Sequence, residues 1–167
     1  MGCARAQPLN VKKENQEWCF SISLEENEAF VRRFIEGYNK RNLDIYDEFL
    51  APAYFDHTNQ VGLEGVKQLF NMGFKAFPDW HEAIEDIIAE GDKVWLRLTY
   101  TGTHTGEMFG LAPTGNKITA TAVAIYRIVN GKIVEGWFVT DSTDMFKQIG
   151  ALEYTEKGKN LFPEDVK

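Results

Sequence analysis

Val66-Lys67-Gln68-Leu69-Phe70-Asn71-Met72-Gly73-Phe74-Lys75-Ala76-Phe77-Pro78-Asp79-Trp80-His81-Glu82-Ala83-Ile84-Glu85-Asp86-Ile87-Ile88-Ala89 is the stretch that decides the fold. Up to Phe77 its apolar residues, Val66, Leu69, Phe70, Phe74 and Phe77, recur at the three- and four-residue spacing of an amphipathic helix. Pro78 stops that helix. From Trp80 to Ala89 the pattern becomes that of a strand. Before this point the periodic segments read mainly as helix, and after it as strand.

Working back toward the start, Ser23-Leu24-Glu25-Glu26 is a Ser-x-x-Glu capping box. Phe30, Val31, Phe34, Ile35 and Tyr38 follow at helical spacing, so a first helix is expected from Ser23 to about Asn39. Asn42 suits the cap of a short second helix with Tyr46, Phe49 and Leu50 inward, ended by Pro52. Ala53-Tyr54-Phe55-Asp56-His57 reads as a short extended segment. Working forward, Glu90-Gly91-Asp92 is a turn, and Lys93–His104 alternates. Val94, Leu96, Leu98 and Tyr100 share one face, and Trp95, Arg97, Thr99 and Thr101 the other. A glycine-containing loop follows. Asn130-Gly131 then marks a hairpin joining strands Lys117–Val129 and Lys132 to about Asp141. Helices first and antiparallel strands afterwards define an α+β fold, three N-terminal helices packed on a curved sheet over residues 23–152. Residues 1–22 read as an irregular arm and 153–167 as a polar tail.

Composition narrows the function. The chain has 167 residues, enough for one domain with a sizeable core, and a net charge of −7. An acidic chain without a basic stripe is a poor fit for nucleic acid. No apolar run has the length of a membrane span. The start lacks a signal-peptide core, and Ala6 stands where a myristoylation signal needs Ser or Thr. Cys3 and Cys19 match no disulfide framework or metal motif, so a reducing cytoplasm is the default location. His57, His81 and His104 show no metal-ligand spacing, and no phosphate loop or nucleophile motif occurs. No metal and no cofactor are therefore expected. The 12 Phe, 6 Tyr and 4 Trp suit the walls of a small-molecule cavity as well as an ordinary core.

The last strand carries the main candidate for chemistry. Alternation puts Trp137, Val139 and Asp141 on one face, and a carboxylate at the end of an apolar face is either matched by a neighbour or poised to react. Two readings stay open for Asp141: a proton acceptor in a cleft, or the N-cap of the segment Ser142–Phe146. His104, at a strand end beside small and hydroxyl-bearing residues, is a second candidate. Asp56 and His57 point to opposite sides of an extended segment, so one of them can face the cleft. Tyr38, Phe74, Phe109, Met72 and Leu111 are candidates for its wall. His81 reads as a solvated rim residue.

The chain resembles the SnoaL-like polyketide cyclase, or ester cyclase, family, on the cone-shaped fold of the nuclear transport factor two type. The resemblance rests on Tyr54-Phe55-Asp56-His57, Phe77-Pro78-Asp79-Trp80, Ile87–Val94, Gly102-Thr103-His104-Thr105-Gly106, Pro113-Thr114-Gly115 and Gly131–Trp137. It extends to Asp141 and Gln148-Ile149-Gly150, with Ile149 where the family has Leu, and covers about residues 25–152. It implies a cofactor-free intramolecular aldol closure of a polyketide ester, with Asp141 as acid/base and His104 as its pocket partner. It favours His57 over Asp56 as the cleft residue. The resulting expectation is an enzyme acting on a small apolar carbonyl compound, with Asp141 and His104 catalytic and His57, Trp137, Phe74, Phe109 and Tyr38 binding substrate. The alternatives are a dehydratase, isomerase or hydrolase on the same cone, or a non-catalytic ligand-binding or dimerisation module. A homodimer is expected through the outer sheet face, where Trp95 and Val123 lie beside the polar Arg97 and Thr99.

Overall fold

The computed structural model describes residues 23–159; the expected arm with Cys3 and Cys19, and the end of the tail, lie outside them. The first helix, α1 (Leu24–Asn39), starts on the expected capping box. Ser23 Oγ accepts from the Glu26 amide at 3.2 Å, and the Glu26 carboxylate accepts from the Ser23 amide at 2.7 Å. Its apolar face, Val31, Phe34, Ile35 and Tyr38, is buried. The short helix α2 (Ile45–Phe49) follows, and Asn42 accepts a bond from Asp44 rather than capping the helix through its own N-cap position. The third helix, α3 (Leu63–Ala76), ends just before Pro78.

The strands are β1 (Leu50–Asp56), β2 (Val61–Gly62), β3 (His81–Glu90), β4 (Lys93–Thr103), β5 (Lys117–Val129) and β6 (Lys132–Thr140). They form one sheet in the order β2-β1-β6-β5-β4-β3. Most of its pairings are antiparallel, and β1 is added parallel to β6, which the sequence did not indicate. A parallel neighbour needs a long crossover, and here α3 and strands β3 to β5 supply it. Two short helices close the described chain, α4 (Ser142–Gln148) and α5 (Glu156–Lys159).

The hairpin at Asn130-Gly131 forms as read. Both residues adopt positive φ, 52° and 71°, the geometry a two-residue turn of this hand requires. On β4, Val94, Leu96, Leu98 and Tyr100 face the helices and are buried, while Trp95 lies outside at 45% exposure. Ala120, Ala122 and Ala124 of β5 are also buried inward, and their short side chains take little of the space between the layers. Glycine is needed where the loop after β4 meets α3: a Cβ on Gly106 would come within 1.9 Å of the Lys75 carbonyl oxygen.

Two irregularities in the antiparallel pairings decide which side chains of β3 and β6 face inward. The β3–β4 register shifts between Ile84 and Asp86, and the β5–β6 register shifts between Arg127 and Ile128. Each one reverses the facing of the residues beyond it, because side chains alternate with period two.

Candidate functional site

A cavity of about 270 Å³ lies between the helices and the sheet. Its wall is dominated by aromatic rings, among them Phe34, Tyr38, Tyr46, Trp80, Tyr100 and Tyr126. Among the described residues, one acidic or basic side chain lines it, Glu82. Glu82 sits at the start of β3 directly opposite Tyr100 of β4, before the irregularity at Ile84/Asp86, and therefore shares the inner face with Ile84.

Glu82 is held from both ends. The Asn39 side chain at the end of α1 donates to the Glu82 carbonyl at 2.9 Å and accepts from the Glu82 amide at 2.9 Å. The Trp80 indole N–H donates to Glu82 Oε1 at 3.3 Å, and the Tyr38 hydroxyl also bonds the carboxylate. Burial in this apolar wall disfavours the charged form and outweighs those two donors, pushing the carboxyl up to about 7. A carboxylate poised near neutrality can both take and return a proton. Its charge in turn helps burial hold Tyr38, Tyr46, Tyr100 and Tyr126 well above the ordinary phenol range, so all four remain protonated.

The residues singled out from the sequence are distributed differently from expectation. Tyr38 lines the cavity. Phe74 packs on Tyr38, ring centroids 4.9 Å apart, in the core beside the cavity rather than on its surface. Asp141 is corrected: its carboxylate is exposed and caps α4, accepting from the Asp144 amide at 3.2 Å. Its neighbours Thr140 and Ser142 line the cavity, so Asp141 stands at the rim and faces outward. The cause is the shift between Arg127 and Ile128. It leaves Gly136, Phe138 and Thr140 pointing inward and Trp137, Val139 and Asp141 outward. Trp137 is thereby also removed from the cavity.

His104 is buried, but it lies against Phe77 in a second apolar cluster and does not line the cavity. The Thr114 amide donates to its Nδ1 at 3.3 Å and the Thr114 hydroxyl lies 3.1 Å from the same atom, while Nε2 is buried without a partner among the described residues. Its backbone bonds Asn116 and Gly115, which fixes the loop between β4 and β5. His57 is on the outer surface. Its Nε2 lies 3.0 Å from Glu135 Oε1, and its ring stacks on Trp137 at 4.5 Å. Arg127 and His57 together hold Glu135 below the usual carboxylate range. Asp56, the other residue of that pair, is buried and spent on the turn, accepting from the amides of Thr58 and Asn59. Phe109 is 80% exposed and borders a second cavity of about 270 Å³ with Met72, Lys75 and Glu107. No grouping of three or more His, Cys, Asp or Glu side chains suited to a metal ion occurs among the described residues. No helix among them is long and apolar enough to cross a membrane.

The capping role of Asp141 has a direct consequence. Asp141→Ala is expected to lower stability by about 1 kcal/mol, and Asp141→Asn, itself a good cap, by much less. Urea titration of the two variants distinguishes them.

The fold and its cavity define a class: a helix-covered cone enclosing an aromatic pocket that, among the described residues, is lined by one carboxylate. The model of the SnoaL-like polyketide cyclases matches residues 28–149, and the chain belongs to that family. It is 30% identical to the aklanonic acid methyl ester cyclase AcmA of Streptomyces galilaeus, over 76% of this chain and 92% of that one. It is 29% identical to the aklanonic acid methyl ester cyclase DnrD of Streptomyces peucetius, over 77% of this chain and 93% of that one. Among solved structures it matches AclR, a candidate hydroxylase from Streptomyces galilaeus, with a TM-score of 0.74 and 32% identity, over 81% of this chain and 87% of that one.

The signature segments now have structural explanations. Phe77 builds the cavity wall. Asp79 accepts from the Thr103 amide and hydroxyl at 2.6 Å each and ties β3 to the end of β4. Trp80 donates to Glu82.

Proposed function

We propose that the chain is a cofactor-independent cyclase that closes a ring in a small, largely apolar carbonyl compound by acid/base chemistry, with Glu82 as the proton acceptor. The observation that carries this reading is the position of Glu82. Among the described residues it is the one carboxylate lining the aromatic cavity, held by Trp80 and Tyr38 and raised to about 7. An apolar wall binds the body of such a substrate, and a carboxylate near neutrality removes a proton beside its carbonyl. The names of AcmA and DnrD point to methyl esters of the aklanonic acid type as the first substrates to test.

Mass spectrometry of the product separates ring closure from dehydration and hydroxylation, and the new C–C bond seen by NMR separates it from an isomerisation of equal mass. An intramolecular aldol closure leaves the mass unchanged. A dehydratase removes water, and a hydroxylase adds one oxygen atom. Incubation of the purified protein with aklanonic acid methyl ester is expected to give a product of unchanged mass and new chromatographic position. A product of different mass, or none from any ester of this class, refutes the reading.

The pairing of copies belongs to the same proposal. On the outer sheet face Trp95 stands opposite Ile88 and Ile125, and Val123 opposite Val139. Ile88, Trp95, Val123 and Val139 are all substantially exposed. A contiguous apolar strip of this kind suits association through that face. Light scattering is expected to show a dimer, and Val139→Glu a monomer. A monomeric wild-type chain at micromolar concentration rules the pairing out.

A further inference from the structure

Tyr46 is a polar residue that the chemistry above does not use. It lines the same cavity as Glu82 and is 1% exposed. Its hydroxyl makes no hydrogen bond among the described residues. The great majority of buried hydroxyls are paired, and one that is not asks what it is for. The ring itself is fixed. It stacks on Phe70 with centroids 5.5 Å apart and planes 14° apart, and meets the edge of Phe34 at 6.0 Å and 79°. The side chain is therefore held in one orientation before any ligand arrives. Glu82 and Tyr54, both in the cavity wall, act on its hydroxyl electrostatically. Of the tyrosines around the acid, Tyr38 already gives its hydroxyl to Glu82.

We propose that the Tyr46 hydroxyl is the donor that binds the carbonyl oxygen of the ligand, so that Glu82 and Tyr46 act as a pair. The proposal rests on the ring-closure reading. In that reaction the Glu82 carboxylate takes a proton from the carbon beside the carbonyl. The C–H electron pair becomes the enolate double bond, and the carbonyl π pair moves to the oxygen. Tyr46 donates a hydrogen bond to that oxygen as its negative charge grows. The enolate carbon then forms the new C–C bond to a second carbonyl within the substrate, whose oxygen becomes an alkoxide. Glu82 returns its proton to the alkoxide, and no co-reactant is needed. Burial and the nearby acid keep Tyr46 protonated over the working range, which a donor requires. A fixed donor aimed at developing charge stabilises the transition state more than the ground state.

The proposal assigns Tyr46 an effect on kcat more than on KM. Tyr46→Phe keeps the ring, its stacking on Phe70 and its contact with Phe34. It is expected to fold as the wild type does and to lower kcat on the order of 100-fold with little change in KM. A probe independent of turnover is fluorenone, a small apolar ketone. Well above neutrality Glu82 is ionised and has no proton to give, so a hydrogen bond to the ketone reports another donor. The carbonyl stretch of bound fluorenone is expected to lie below its value in hexane. In Tyr46→Phe it is expected to return toward the hexane value with the ketone still bound. In the wild-type chain, a label at tyrosine Cζ is expected to show the Tyr46 resonance moving on fluorenone binding, which needs no variant to fold. Fluorenone that binds with an unshifted stretch, or with the same shift in Tyr46→Phe, overturns the role of Tyr46 and leaves the carbonyl-binding cavity standing. Failure of the wild-type protein to bind the ketone removes the carbonyl reading and the role of Tyr46 together.

Discussion

Glu82→Gln is expected to lower kcat/KM on the order of a thousandfold, the range a positioned general base supplies. The substitution preserves the shape of the side chain, the bond it accepts from Trp80 Nε1 and the two bonds between the residue's backbone and the Asn39 side chain, but it cannot take up a proton. Asp141→Asn is the comparison that gives this result its meaning. Its amide can still cap α4, and its side chain stands outside the cavity, so its activity is expected to stay within about tenfold of the wild type. The reverse order of effects would return the proton-acceptor role to Asp141. The pH profile is a second readout. The reaction needs Glu82 as carboxylate, so kcat/KM should rise with pH up to about 7 and level off above it. A profile governed by an exposed carboxylate would level off well below neutrality.

The reason this site was not legible in the sequence is narrow and physical. Local signals were sufficient wherever structure is decided locally. The Ser23–Glu26 capping box, the stop at Pro78, the Asn130-Gly131 turn and the alternation of Val94–Tyr100 all appear as read. Facing is different, because it is inherited along a strand and reversed by each irregularity. Trp137 and Val139 form as apolar a set as Phe138 and its inward neighbours, so composition does not choose between the two faces of β6. The register shift between Arg127 and Ile128 chooses, and it places Asp141 outside.

Glu82 carried one faint signal. Ile84 and Ile87, both packed against the core, are separated by an odd number of positions, which a regular strand cannot place on one face. That spacing demands an extra residue between them. Counting back from Ile84 then puts Glu82 inward, while His81, read as a rim residue, is exposed. The parallel pairing of β1 with β6 left no comparable trace, since it is set by long-range packing rather than by turn chemistry. Tyr38 lines the cavity as a continuation of the apolar face of α1, where the helical period carries no such ambiguity.

The second large effect concerns stability and has a sign opposite to that of most buried-residue substitutions. Burial raises the Glu82 carboxyl from the ordinary 4.5 to about 7 in the folded protein. The folded state therefore binds this proton more tightly than the unfolded chain does between those values. The resulting stabilisation is complete below about pH 4.5 and is lost as pH rises through about 7. At 1.36 kcal/mol per pH unit, that gap amounts to about 3 kcal/mol, the cost of keeping the ionised group in the apolar wall at higher pH. Glu82→Gln carries no such charge. It is expected to unfold at nearly the same urea concentration as the wild type near pH 4, and to be more stable by up to about 3 kcal/mol above pH 8. Asp79 and Glu135, both held below the usual carboxylate range, lose stability in the other direction, as pH falls. They contribute equally to both proteins, so the difference between variant and wild type isolates Glu82. A variant that abolishes turnover while stabilising the fold at alkaline pH is what a functional carboxylate kept in an unfavourable place must give. A destabilised Glu82→Gln at every pH would instead mark Glu82 as a structural anchor for Trp80 and Tyr38.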